Sequence, residues 1–378
     1  MNFAPIIYGA TLVCITAIGP TMFILPSLIP KSEYGLSILV MLPVFCVMLF
    51  TALLVANITA TLPQGSHFNT MIKHYLGESY HKVVRFLVLG IILSLVYSNI
   101  CGLKMFFDIT SHLHIGGVIA VILAVMILLI IRGFVSYVHG FLCILFAGSL
   151  IGCILLFHFM AESTPTVATS VSLDQYQWIY LIPAVQASFS FHLLIPGIVN
   201  ACQQRKRDYQ TALILGMGTT FIVYALWIHF AWKYDYGIEQ LMSSGMGANE
   251  APLLSNATQI LFLLSLVSSS LGLGIAVMDY AKELSRSAHK YVTPWSVFAM
   301  ILTLPLALFT FAPNGFQAGV FFSVFGSTFL AIILPSSIAL KRVNGVNQIS
   351  SSITKQCMSS VVLAYGLFSL CVNALRLT

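Results

Sequence analysis

Charge is what this sequence has least of. Only 7% of its 378 residues are Asp, Glu, Lys or Arg, against 58% hydrophobic, whereas a soluble domain carries about 25% charged residues. With a mean hydropathy of +0.95, the chain has too little charge to cover a soluble globule. Its apolar residues fall in blocks of membrane-spanning length, about 20 residues. They lack the alternation over about ten residues that marks an outer-membrane barrel, so the spans are helices.

Other absences narrow the chemistry. The eight cysteines (14, 46, 101, 143, 153, 202, 357 and 371) are scattered, with no CxxC and no Cys/His cluster. Neither a zinc site nor a disulfide framework is expected, and the cysteines read as small apolar packing residues. There is no HExxH or GxGD motif and no plausible catalytic Ser–His or Asp–Asp pairing at helical spacing. Intramembrane hydrolysis therefore has no support, and the chain reads as a protein that is not an enzyme and carries no cofactor or metal. None of the eleven Asp and Glu residues falls at a predicted mid-membrane position, which removes a carboxylate proton relay. The net charge of +6 does not point to nucleic acid, because the basic residues sit in short loops beside spans, as topology signals do. The first apolar block is too long for a signal peptide and has no basic residue ahead of it, so it is expected to be a retained span.

What is there is a series of apolar blocks. Windows of about 19 residues place eleven spans near 6–30, 35–61, 84–107, 115–132, 137–158, 177–200, 210–231, 256–280, 293–312, 316–339 and 357–376. Alternate loops then carry Lys73, Lys82 and Arg85; Arg132; Arg205, Lys206 and Arg207; Lys282, Arg286 and Lys290; and Lys341, Arg342 and Lys355. The opposite loops are acidic and hydroxyl-rich, such as "AESTPTVATSVSLDQYQW". The positive-inside rule puts the N-terminus in the cytoplasm and the C-terminus on the periplasmic or extracellular side of the inner membrane. Trp178, Trp232 and Trp295 fall at predicted interfaces.

Spans one and six share a pattern. "TAIGPTMFILP" (16–26) and "ASFSFHLLIP" (187–196) each place small or polar residues at mid-span, then an apolar run, then proline. Glycine and proline at matching positions of two spans five apart suggest broken helices in two repeats of opposite topology. Such breaks free backbone groups and leave half-helix N-termini with partial positive charge, which suits a carboxylate. Gly and Pro are also common in ordinary membrane helices.

A few side chains are candidates for chemistry. His192 lies near the centre of span six beside Ser188 and Ser190. An ionisable group at that depth is a functional candidate and the one deep group here that titrates near physiological pH. A neutral imidazole hydrogen-bonded to a neighbouring helix is the plainer alternative. Lys104, near the outer end of span three, has a stem that can snorkel to the interface. Tyr97 and Asn99 on the same span face either a cavity or a packing partner. "SLVSSSLGLGIAVMDY" (265–280) combines small residues suited to close helix packing with Ser268, Ser269 and Ser270, which in another reading line a polar path or cation site. Asp279, near the cytoplasmic end, caps a helix or holds a gate.

Four segments resemble the hydroxy/aromatic amino acid permeases, in particular the tyrosine and tryptophan permease branch. They are "FTALLVANITATLPQGSHFNTMIKHYLG" (50–77), "IPAVQASFSFHLLIPGIV" (182–199), "SSLGLGIAVMDYAKEL" (269–284) and "LPLALFTFAPNGF" (304–316). The similarity is collinear over nearly the whole chain. It implies an all-α polytopic membrane protein of the amino acid/polyamine/organocation superfamily, with eleven transmembrane helices. Five-plus-five inverted repeats resembling the leucine transporter would fill 1–158 and 177–340, and an eleventh span would lie in 341–378. It also implies a substrate site at the unwound parts of spans one and six: Gly19, Pro20, Thr21 and Phe23 on one wall, Ser188, Phe189, Ser190, Phe191 and His192 opposite, and Tyr97 and Asn99 closing it. Ion coupling or gating would fall to His192, Ser269, Ser270 and Asp279. Two positions depart from the family pattern: its usual Gly-Ala-Gly element reads "IGPTMF" here, and Ser190 stands where glycine is common.

The resulting expectation is a secondary transporter that imports an aromatic amino acid by proton symport with alternating access. Its partners would be the amino acid, the proton and the lipid bilayer, with no nucleic acid. The altered Gly19-Pro20-Thr21 element motivates an alternative, a receptor or sensor on the same fold that binds an amino acid without moving it. A permease for a different small metabolite is a third reading.

Overall fold

A computed structural model of the chain describes residues 3–19, 21–25, 34–110, 122, 126, 135–160, 177–234, 252–286, 292–312, 315–341 and 353–375. Among these the regular structure is helical throughout. Eight helices are long and apolar enough to cross a membrane, and two shorter apolar ones, Phe3–Ala17 and Gly140–Leu155, fall in the expected first and fifth spans. Large apolar side chains such as Phe86, Ile144 and Phe311 stand exposed on outer faces. That is the pattern of a multi-pass bundle whose outer solvent is lipid. The expected fourth span, 115–132, lies outside the described residues apart from Ile122 and Met126.

The first span is interrupted. Helix α1 (Phe3–Ala17) stops at Ala17 and a short α2 (Thr21–Ile24) resumes beyond the break. The second span is α3 (Tyr34–Thr59), followed by a short α4 (Phe68–Leu76). That helix has no counterpart among the expected spans. Its buried residues Phe68, Met71, Ile72 and Tyr75 fall on one helical face, so it lies against the bundle instead of crossing the membrane. The third span is α5 (Glu78–Thr110) and the fifth α6 (Val135–Met160).

The sixth span is broken as well. Helix α7 (Gln177–Ser188) ends, a 3₁₀ turn covers His192–Leu194, and α8 (Ile195–Ala201) completes the crossing. Pro196 sits in the first turn of α8, where a missing N–H costs nothing because that position has no intrahelical acceptor. Gly197 follows because a Cβ there would lie 2.7 Å from Asp279 Oδ2.

The remaining elements are α9 (Lys206–Tyr234), α10 (Pro252–Arg286), α11 (Pro294–Phe311), α12 (Phe316–Ser327) and α13 (Leu334–Leu340), with α14 (Ile353–Leu375) last. Between α12 and α13 the tenth span widens into a π-helical stretch, Thr328–Ile333. Pro335 follows it and has no N–H to return to the preceding turn, which favours such a local rearrangement of the ladder.

Helix α1 lies in the middle of the bundle against α9 and α10. At Gly216 on α9 the approach is against backbone: a Cβ there would be 2.7 Å from the Ala10 carbonyl oxygen and 2.6 Å from Val13 Cβ. Small residues of this kind let two membrane helices meet backbone to side chain, where dispersion does the holding. The broken first span is therefore clamped along its N-terminal half, α1.

Candidate functional site

The two breaks face one cavity of about 80 Å³. Thr16, Gly19 and Thr21 reach it from the first span and Ser190 and Phe191 from the sixth; Ser98 and Asn99 of α5, Ser269 of α10, and Ser323 and Ser327 of α12 close it. The spacing explains the lining. Ser323 and Ser327 are four apart, as are Leu95 and Asn99, and Ser269, Leu273 and Ala276 follow at four and three, so each set shares one helical face. Among the described residues, every polar side chain in the lining is a hydroxyl or an amide, and none is charged. Helices α1 and α7 both end here, so C-terminal carbonyls, which favour positive charge, approach the cavity from both spans.

Tyr224 of α9 holds the breaks in register. Its hydroxyl is 2.5 Å from the Ala17 carbonyl oxygen and 3.3 Å from that of Ser188, the last residues of α1 and α7. A second polar network braces the far side of the sixth span. Gln186 Nε2 donates to Thr328 Oγ1 at the π-helical stretch (2.5 Å), and Ser369 Oγ on α14 donates to Gln186 Oε1 (2.8 Å).

Of the residues singled out in the sequence, the structure brings Gly19, Thr21, Asn99, Ser190, Phe191 and Ser269 together at the cavity. Pro20 lies outside the described residues. The others turn elsewhere. Phe23 packs edge-on against Trp227 and Phe262, with ring centroids 5.0 and 4.9 Å away. Ser188 Oγ donates to the Ala184 carbonyl, and Phe189 lies edge-on to Tyr224 and Phe45. Tyr97 donates its hydroxyl to the Ala312 carbonyl at 2.5 Å, just beyond α11. Ser270 borders a smaller, mostly apolar cavity of about 40 Å³ between α5, α10 and α11, which Asn99 also lines. Asp279 pairs with Lys282 at 2.8 Å near the C-terminal end of α10. Lys104 is half-buried in the C-terminal part of α5.

His192 is fully buried and points away from the cavity, toward α3. Its Nε2 is 3.0 Å from Thr51 Oγ1, and the Thr51 hydroxyl donates to the Met48 carbonyl at 3.0 Å. A hydroxyl has one proton. With that proton spent on Met48, Nε2 is the donor to Thr51, and Nδ1 is left with a lone pair and no hydrogen-bond partner among the described residues.

Sequence reasoning passed over Thr16, Ser98, Ser323 and Ser327, which line the cavity, and Tyr224, which ties its ends. The serine pair at 323 and 327 carried a usable signal, two hydroxyls one turn apart in an apolar span. Tyr224 carried none, since a lone tyrosine in a span is ordinary. Among the described residues no group of three or more His, Cys, Asp or Glu is placed to hold a metal ion.

Known proteins align with this arrangement along the chain. Residues 4–373 match the model of the tryptophan/tyrosine permease family. A low affinity tryptophan permease of Escherichia coli O157:H7 is 21% identical over 389 residues, covering 95% of this chain and 93% of the relative. A tryptophan-specific transport protein of Haemophilus influenzae is 23% identical, with 88% and 86% covered. In three dimensions the chain superposes on a mutant of the Eremococcus coleocola manganese transporter with a TM-score of 0.67 at 13% identity, over 100% of this chain and 87% of the other. That likeness establishes the fold, which is the leucine-transporter-like one expected. The relatives are named as permeases and transport proteins, not as enzymes. With the family match covering nearly its full length, this chain belongs to the tryptophan/tyrosine permease family.

Proposed function

We propose that the protein imports an aromatic amino acid of the tryptophan or tyrosine type across the inner membrane, by proton symport with alternating access. The observation that carries this reading is the uncharged, hydroxyl-lined cavity between two broken spans in a member of this family. A bare cation or anion would find no counter-charge there. An α-amino acid zwitterion needs none: its ammonium can meet the carbonyl ends of α1 and α7, and its carboxylate the hydroxyls of Thr21, Ser190 and Ser269. Gly19 leaves room for close approach, Phe191 gives the cavity an aromatic wall, and Phe23 and Phe189, packed edge-on against Trp227 and Tyr224, form rigid support behind it. Asn99 borders both the central cavity and the smaller apolar one, which suits a ligand with a polar head and an apolar ring.

The repeats would span 1–158 and 177–340, with 341–378 as an addition, and would rock about the central cavity. The N-terminus would be cytoplasmic and the C-terminus outside. His192 is the deep group available for the proton: its Nδ1 lone pair can take one without breaking the Thr51 contact. Ser269 at the central cavity and Ser270 at the smaller one would line a polar path, and Asp279 would hold the cytoplasmic end.

The test is uptake of radiolabelled L-tryptophan and L-tyrosine into proteoliposomes. Saturable accumulation driven by an inward proton gradient, and abolished by a protonophore, is expected. Saturable binding with no accumulation under any ion gradient would sink the transport reading in favour of a receptor.

A further inference from the structure

Below the break in the sixth span lies a second cavity of about 300 Å³, larger than the central one. Leu194 lines both, so one side chain stands between them. The lower cavity is charged where the upper is not. Asp279, Lys282 and Arg286 of α10 line it, with Asn200 of α8 and His67 from the segment before α4.

His67 is the unusual member. It is 2% exposed, and neither ring nitrogen has a partner in hydrogen-bond geometry among the described residues. A buried polar group left unpaired costs stability, and in a folded protein it calls for an explanation. The residue is not loosely placed. Glu283 accepts its backbone N–H at 2.6 Å and those of Asn69 and Thr70 at 2.9 Å each, while Phe68 and Tyr280 flank the ring at 5.4 Å. Burial holds the His67 pKa below its ordinary value, against the opposing pull of Glu283, Asp279 and the Leu193 backbone. The ring therefore enters as a neutral donor and acceptor. Arg286 spends a donor on the Gly65 carbonyl, at 3.3 Å, out of the five that a guanidinium carries.

We infer that the lower cavity is a release-side binding station for the α-amino acid zwitterion, entered from the central cavity past Leu194. The carboxylate docks toward Arg286, the ammonium toward Asp279, and His67 supplies the hydrogen bonds that its surroundings leave unmade. The inference rests on the transport reading above. It explains why a larger, charge-bearing pocket lies beyond a neutral one: the charges hold the substrate after it has left the breaks.

The test is sided transport in oriented proteoliposomes preloaded with L-tryptophan. Two constants are measured: the internal L-tryptophan concentration that halves initial uptake, and the external KM. Arg286→Gln and His67→Leu should each raise the internal constant about tenfold, the effect of losing one charge-assisted or buried hydrogen bond, and leave the external KM within about twofold. Because Arg286 also holds Gly65, its variant can lose folded protein. His67→Leu removes at most a loose approach to the Leu193 backbone, so it should melt close to the wild-type temperature while losing release-side binding. An unchanged internal constant in a folded His67→Leu protein overturns the station, as does an equal shift in both constants. A wild type that takes up no L-tryptophan or L-tyrosine overturns the transport reading and the station together.

Discussion

Tyr224 donates its hydroxyl to the carbonyl oxygen of Ala17 at 2.5 Å, so the end of α1 is held by a neighbouring helix and not by its own ladder. The same hydroxyl is 3.3 Å from the Ser188 carbonyl. Both breaks thus depend on one buried group. Tyr224→Phe keeps the ring packing with Phe189 but removes the one phenolic proton these carbonyls share, leaving Ala17 with the Gly19 N–H at 2.7 Å and Ser188 without this donor. An unmet buried acceptor costs about 1–3 kcal/mol. The variant should melt earlier in detergent, and kcat/KM for uptake should fall roughly in proportion as the breaks lose their common register. Retained stability with full uptake would show that the carbonyls find other donors.

His192 makes a sharper prediction about coupling. If its free Nδ1 takes the transported proton, His192→Ala should abolish pH-driven accumulation while weakening substrate binding much less, because the side chain does not line the central cavity. Thr51→Val should act differently. It removes the acceptor of the Nε2 proton and should move the pH profile of uptake without eliminating it. Uptake by folded His192→Ala that keeps its full pH dependence would assign the ring to packing alone.

The spans were legible because each is an apolar block longer than a soluble helix needs, and "FSFHLLIPG" was legible as a break because Pro196 and Gly197 interrupt one of those blocks. Which way its side chains face was not. Depth along the sequence marks His192 as central, but its partner is Thr51, 141 residues away, and only packing brings α3 against that face. Ser98, Ser323 and Ser327 escaped notice for the same reason, since a serine in an apolar helix reads alike whether it meets a cavity or its own backbone. Helix α4 was missed because nine residues lying along the bundle surface produce no window of spanning length. Its pattern of buried Phe68, Met71, Ile72 and Tyr75 is helical all the same.

The contact between α1 and α9 allows a packing test. At Gly216 the obstacle to a side chain is backbone, the Ala10 carbonyl oxygen, which cannot rotate away. Gly216→Ala should therefore cost about 1–3 kcal/mol through overpacking and lower the yield of folded protein. Gly218, two residues on, has open space around it, and Gly218→Ala should be neutral or slightly stabilising, as expected within a helix. Equal behaviour of the two variants in a detergent melt would argue against the close approach.

Acidification should loosen the loop before α4. In the folded protein burial keeps the His67 ring from taking a proton, whereas in an unfolded chain it takes one near its ordinary pKa of about 6.5. Below that pH the unfolded state binds more protons than the folded one, so stability falls as pH drops and is unaffected by this group above it. The melting temperature should decline between about pH 7 and pH 5.5. His67→Leu should flatten that part of the curve, and an unchanged slope would place the acid sensitivity elsewhere.

The carboxylate of Glu283 anchors the same region from α10. Oε1 accepts the backbone N–H groups of His67 and Thr70, and Oε2 accepts that of Asn69, so one side chain caps the start of α4. Glu283→Gln keeps the shape and one oxygen, but turns an amide NH₂ toward a backbone donor that it cannot satisfy. Removing the charge weakens all three bonds, since bonds to an ionised acceptor are about twice as strong as neutral ones. A loss of about 1.5–3 kcal/mol is expected, with the release from protection in hydrogen exchange confined to the segment around α4. Exchange that speeds up across the whole bundle would instead mean that Glu283 stabilises the fold globally, and the clamp on α4 would not be its particular role.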